Sequence, residues 1–134
     1  MLKRPPRVLL AKLGLDGHDR GLTVISRWLT EAGMEVIYLG ANQSPDTVAS
    51  AALAEDADVI GLSFLGGEHL LRVPKMVRKM KEVGLEDVAL VIGGVIPRQD
   101  IEPLKDMGAD AVFVPGTPME TIVSHIRQRA RVLG

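Results

Sequence analysis

The chain has 134 residues, of which 46% are apolar and only four are aromatic. It has no cysteine, so disulfides, zinc–thiolate sites, iron–sulfur clusters and cysteine nucleophiles are excluded. A formal net charge of −1 argues against a strongly electrostatic nucleic-acid binder, and no apolar run approaches the roughly 20 residues of a membrane span. The length predicts one domain over 1–134, with a core of Val, Leu, Ile and Ala suited to a buried parallel sheet. The basic start, residues 1–4, is not read as a secretory leader, because the apolar stretch after it is broken by Lys12. With cysteine absent as well, a cytoplasmic protein is expected.

A first strand is predicted over 8–13. After a glycine-bearing loop, Ile25, Leu29 and Ala32 share one face of a first helix, which Gly33 closes. A second strand follows over 36–39. Ser44-Pro45 reads as an N-cap followed by proline at the first helical position, opening a helix that carries Val48, Ala51, Ala52 and Glu55. The third strand spans 59–63. Val73, Met76, Val77, Met80 and Val83 then make the clearest amphipathic helix, ending at Gly84. Arg72, Lys75, Arg78, Lys79 and Lys81 are read as its wet face, and His69 as a residue of the helix start. A fourth strand covers 88–92. The next helix starts near Asp100, since Pro103 must lie in its first turn, and stops at Gly108. A fifth strand at 111–114 leads to Thr117-Pro118-Met119-Glu120, read as a capping box, and to a last helix whose His125 is expected to face solvent. Trp28 is expected in the core or an interface rather than as a stacking platform.

Regular strand–helix alternation implies an α/β fold: a flavodoxin-like, doubly wound, five-stranded parallel sheet of order 2-1-3-4-5, with helices on both faces. Ligands of such sheets bind at the carboxyl ends of the strands, beside the switch between strands one and three. The loops that matter are therefore 14–21, 63–69, 93–99 and 115–118.

Several chemistries known on this fold fail on the residues. A phosphate receiver needs an acceptor Asp after strand three, where the chain reads Ser63-Phe64-Leu65. A dinucleotide fold needs G-x-G-x-x-G at the first turn, and Gly14, Gly17 and Gly21 have the wrong spacing. The remaining candidate is the first loop. In an extended stretch Asp16 and His18 project the same way, which suits a carboxylate that holds one imidazole nitrogen while the other faces a metal. Lys12 could pair with Asp16 and moderate its pull, and Gly17 and Gly21 permit close approach of something bulky.

That loop carries a motif. Asp16-Gly17-His18-Asp19-Arg20-Gly21 resembles the D-x-H-x-x-G signature of cobalamin-binding domains. Ser63-Phe64-Leu65 resembles the S-x-L element after strand three, Gly93-Gly94 the G-G pair after strand four, and Pro115-Gly116-Thr117 the P-G-T turn after strand five. Together these elements span nearly the whole chain. They resemble the cobalamin-binding small subunit, or C-terminal domain, of the acyl-CoA mutases, the methylmalonyl-CoA mutase group. Val114, where a glycine is common, and the loop Phe64-Leu65-Gly66-Gly67-Glu68-His69 depart from the usual pattern.

The resemblance implies adenosylcobalamin as cofactor, with His18 as lower axial ligand of cobalt and Asp16 and Lys12 tuning it. Asp16, Gly17, His18, Gly21, Ser63, Leu65, Gly93, Gly94, Gly116 and Thr117 would bind the cofactor. Ser63 would hydrogen-bond the base of the displaced nucleotide tail, Leu65 would pack beside it, and the glycines would let it lie against backbone. Thr117 would touch the tail or cap its helix. The implied reaction is radical carbon-skeleton isomerisation, inactive without a separate barrel-type large subunit that binds acyl-CoA; no nucleic acid or membrane partner is implied. A corrinoid carrier for methyl transfer, or a non-enzymatic cobalamin sensor or chaperone, stays open as an alternative.

Overall fold

The computed structural model describes residues 4–14 and 20–131. Asp16, Gly17 and His18 lie outside the described residues. The elements run β1 (Arg7–Leu13), α1 (Arg20–Glu31), β2 (Glu35–Gln43), α2 (Pro45–Glu55), β3 (Val59–Phe64), α3 (His69–Glu82), β4 (Ala89–Gly94), α4 (Ile101–Met107), β5 (Ala111–Phe113) and α5 (Met119–Arg131). A 3-10 turn at Arg98–Asp100 leads directly into α4. The sheet order is β2-β1-β3-β4-β5 with every pairing parallel, as the alternation requires.

The strands β1 and β3 lie at the centre, and every residue of β3 is buried. A strand covered on both faces gains nothing from polar alternation, which is why these segments read as continuous apolar runs. Side chains still alternate in direction. Leu9, Ala11 and Leu13 join Ile60, Leu62, Val48, Val73, Met76 and Leu104 in one core layer. Val8 and Leu10 join Val59, Val91, Leu22, Leu29, Ile122 and Ile126 in the other. Thus α2, α3 and α4 cover one face, and α1 and α5 the other.

Local signals explain most boundaries. The Ser44 hydroxyl accepts the Thr47 N–H at 3.1 Å while the Thr47 hydroxyl accepts the Ser44 N–H at 2.9 Å, a reciprocal cap on α2. Gly33, Gly84 and Gly108 all have positive φ just beyond a helix end, as expected.

Three expectations need correction. The second strand extends well past residue 39, to Gln43, because it bulges rather than stops at Gly40. The capping box at Thr117 does not form, because α5 begins at Met119 and the Thr117 hydroxyl donates back to the Val114 carbonyl at 2.6 Å. His125 is not a free surface residue: its Nε2 lies 2.6 Å from an Asp110 carboxylate oxygen, and its ring sits edge-on to Phe113. No helix among the described residues is long and apolar enough to cross a membrane.

Candidate functional site

A cleft of about 480 Å³ opens at the carboxyl ends of the strands. Its floor is β3 and β4, with Gly61 and Val91 deepest in the sheet, and its walls are α1 (Leu22, Ile25, Trp28), α5 (Ile122, Ile126) and the turn after β5. Arg20, at the start of α1, is the only charged side chain among the described residues that line it. An interior so poor in charge does not suit a free metal ion, and the one cation among the described lining residues that could meet an anionic group is Arg20 at its edge. The interior suits an uncharged, flat organic group that can shed its water. Among the described residues no group of three or more His, Asp or Glu could hold a metal.

Seven residues singled out in the sequence meet here: Gly21, Ser63, Leu65, Gly93, Gly94, Gly116 and Thr117 all line this one cleft. Ser63 is buried near the end of β3 and makes a polar interaction of its own. Leu65, just beyond the strand, is 42% exposed and forms part of the rim. Thr117 donates its single hydroxyl proton to Val114, so toward the cleft its oxygen can only accept.

The glycines differ in what requires them. A Cβ on Gly93 would meet only the Phe113 carbonyl, at an ordinary 3.5 Å, so the space beside it is the cleft itself. A Cβ on Gly94 would clash with the Phe64 carbonyl oxygen, and its φ is +110°. The close pairing of β3 with β4 therefore demands Gly94 before any ligand does, and the expectation that it merely leaves room for an aromatic base is revised. Gly116 has open space around its missing Cβ but φ +92°, which a turn needs. The sequence reading missed Gly61. A Cβ there would press on the end of Leu10 at 2.8 Å, so its absence lets Leu10 fold down onto β3 and deepens the floor.

Lys12, near the end of β1, is 1% exposed. An ammonium so buried requires partners, and Lys12 is not without one. Trp28, read as core or interface, packs partly buried against the α1/α5 core and also lines the cleft. His69 is the first residue of α3, as expected, and does more than start it. It is buried, with Nε2 2.7 Å from the Asp100 carboxylate, which ties the loop after β3 to the loop after β4. The sequence held no signal for that pair, since the partners are 31 residues apart.

A doubly wound sheet with an apolar, nearly uncharged cleft at its strand ends, partly walled by bare backbone, is a fold suited to hold an uncharged organic group. The chain belongs to the B12 binding domain family, whose model matches residues 6–124. It is 42% identical over 134 residues to the 2-hydroxyisobutanoyl-CoA mutase small subunit of Aquincola tertiaricarbonis, covering 100% of this chain and 98% of that one. It is 46% identical over 120 residues to the pivalyl-CoA mutase small subunit of Xanthobacter autotrophicus, covering 90% of this chain and 80% of that one. Methylmalonyl-CoA mutase of Escherichia coli matches at 41% identity over 87% of this chain but only 16% of its own length. Among solved structures, a cobalamin-binding protein from Desulfitobacterium hafniense superimposes with a TM-score of 0.79 at 24% identity, over 95% of this chain and 60% of that one. A Francisella response-regulator receiver domain does so with 0.70 at 11% identity, over 96% and 99%. At these identities the likeness concerns the fold alone.

Proposed function

We propose that this chain is the cobalamin-binding small subunit of an acyl-CoA mutase and works with a separate large subunit. The observation that carries the reading is the convergence of four separate sequence motifs on one cleft, through Gly21, Ser63 with Leu65, Gly93 with Gly94, and Gly116 with Thr117. The near-full-length likeness to two mutase small subunits supports it.

The residues fit the nucleotide tail of cobalamin. A benzimidazole base needs flat apolar contact and a hydrogen-bond partner for its ring nitrogen. Trp28, Ile122 and the bare backbone of Gly93 offer the first, and Ser63 the second. Thr117 offers a hydroxyl oxygen to a donor on the tail. With the tail so bound, His18 would ligate the cobalt, with Asp16 and Lys12 tuning the imidazole and Gly17 allowing close approach. Asp16 would fix the imidazole tautomer, and Lys12 would limit how much negative charge the carboxylate transfers to the ring.

In the adenosyl form, the cofactor would supply the radical chemistry that rearranges an acyl-CoA carbon skeleton. The chain's own task is to hold the cofactor, orient the ligating imidazole and keep water from the tail. The acyl-CoA would bind to a barrel-type large subunit, and the chain by itself, read as a single domain over 1–134 in the cytoplasm, would be inactive. Reconstitution tests this. Mixed with a barrel-type large subunit and adenosylcobalamin, the chain should yield isomerisation of an acyl-CoA, while either protein alone should not. A mixture that binds cobalamin yet isomerises none of the methylmalonyl, isobutyryl, hydroxyisobutyryl and ethylmalonyl thioesters would favour methyl transfer or sensing instead.

A further inference from the structure

The end of β2 departs from regular pairing. Leu10 pairs with Tyr38, Ala11 with Gly40, and Leu13 with Gln43, so β2 carries two extra residues against β1. Bulges are rare in parallel pairs and cluster where a strand must re-aim the chain beyond it. Gly40 has φ +81°, and Asn42 has φ +61°, a left-handed conformation that costs a non-glycine residue energy.

One side chain holds this irregular turn together. The Gln43 amide donates to the carbonyls of Leu39 at 3.2 Å and Ala41 at 3.1 Å, while its oxygen accepts from the Thr47 hydroxyl at 2.9 Å. The opposite amide orientation would set an oxygen against two carbonyls, so chemistry fixes the orientation. The product of the bulge is the position of the Gln43 carbonyl, which receives the Gly14 N–H at 2.9 Å. Gly14 is the last residue before the loop that contains Asp16 and His18.

A second group meets Gly14 from α3. A Cβ on Gly14 would lie 2.7 Å from the Arg72 guanidinium, and Gly14 has φ +83°. Two hydrogen bonds from Arg72 to the Glu68 carboxylate, at 3.1 and 3.3 Å, hold that guanidinium in place. Arg72, read from the sequence as part of a wet face, thus packs on the departure point of the loop.

We infer that Gln43 and Arg72 are positioning residues that clamp Gly14 and so set the direction in which the His18 loop leaves β1. This rests on the reading of His18 as the cobalt ligand. Neither residue touches the cofactor in this account; they act through the backbone of Gly14. Partners one step removed from a metal ligand commonly change metal affinity by about 10–100-fold, and a clamp two steps removed belongs at the lower end of that range.

The test is Co(II) electron paramagnetic resonance on the full chain, grown with isotope-labelled histidine and loaded with cobalamin, for wild type, Gln43→Ala, Gln43→Glu and Arg72→Ala at matched occupancy. Gln43→Glu keeps the shape but removes both donations and sets a carboxylate against two carbonyls. It should lose most of the histidine-nitrogen coupling and bind cobalamin about tenfold more weakly, with smaller losses for Gln43→Ala and Arg72→Ala. Should Gln43→Glu fail to fold, Arg72→Ala, which leaves the sheet untouched, carries the same test. A merely structural role would lower melting temperature while leaving the coupling intact, and that result in the folded variants would overturn the inference alone. A wild-type sample without histidine coupling would overturn the ligand reading, and the inference with it.

Discussion

The two adjacent glycines at the end of β4 show how alike residues can serve different ends. Val91 and Gly93 lie on the sheet face that floors the cleft, and Gly93 has no close neighbour beyond the Phe113 carbonyl. Gly93→Val should therefore fold, put a branched side chain where the proposed tail would lie, and weaken cobalamin binding much more than binding of cobinamide, which lacks the tail. Titration of both ligands by absorbance checks this; equal losses would remove the tail from this position. Gly94→Val should behave otherwise. Its Cβ would clash with the Phe64 backbone in a positive-φ conformation, so it should destabilise the apoprotein by several kcal/mol and impair both ligands together. The sequence exposed the pair as a motif but not this division, because the conflict at Gly94 arises only when β3 and β4 are paired.

At the scale of elements, what was legible depended on how local the cause is. Five strands and five helices follow from hydrophobic period, proline and glycine placement, and the order 2-1-3-4-5 from their regular alternation in a chain this short; among the described residues the structure agrees. The Ser44 cap is likewise written in four consecutive residues, and Ser44→Ala should cost about 1 kcal/mol in denaturant unfolding. Thr117 had the same local signature and took another course. Both its N–H, at 3.1 Å, and its hydroxyl go to the Val114 carbonyl, closing the turn around Gly116. Thr117→Val removes the hydroxyl bond at nearly constant volume and should destabilise by about 1 kcal/mol, while Thr117→Ser should largely retain stability. The His69–Asp100 and His125–Asp110 pairs were invisible for a different reason: each joins residues from separate elements that only the folded sheet brings together. The bulged end of β2 was hidden because Gly40 and Asn42 read as turn residues, whereas here they bend a strand that continues to pair.

At the scale of the molecule, the cleft sits at the carboxyl ends of the strands, and the rim around it is apolar. Val24, Leu65, Val95 and Met119, near the carboxyl ends of the strands, are each more than a third exposed. The cofactor and the large subunit would cover such a surface, which otherwise costs solubility. The motifs made the location of the cleft readable from the chain alone, because each lies at the end of a different strand and the fold gathers strand ends. The depth and wall composition were not readable, since Gly61, Trp28 and Ile122 carry no motif and reach the cleft only through the packing of α1 and α5 on the sheet.

The most direct test of the whole account asks which nitrogen sits beneath cobalt. The chain, grown with isotope-labelled histidine and loaded with cobalamin, is reduced to Co(II) and its electron paramagnetic resonance recorded. If the tail occupies the cleft and His18 the lower position, labelling should alter the nitrogen splitting, and His18→Ala should abolish that component without unfolding the protein. Splitting that ignores the histidine label and persists in His18→Ala would mean that the benzimidazole still ligates cobalt, and would contradict both the ligand assignment and the use proposed for the cleft.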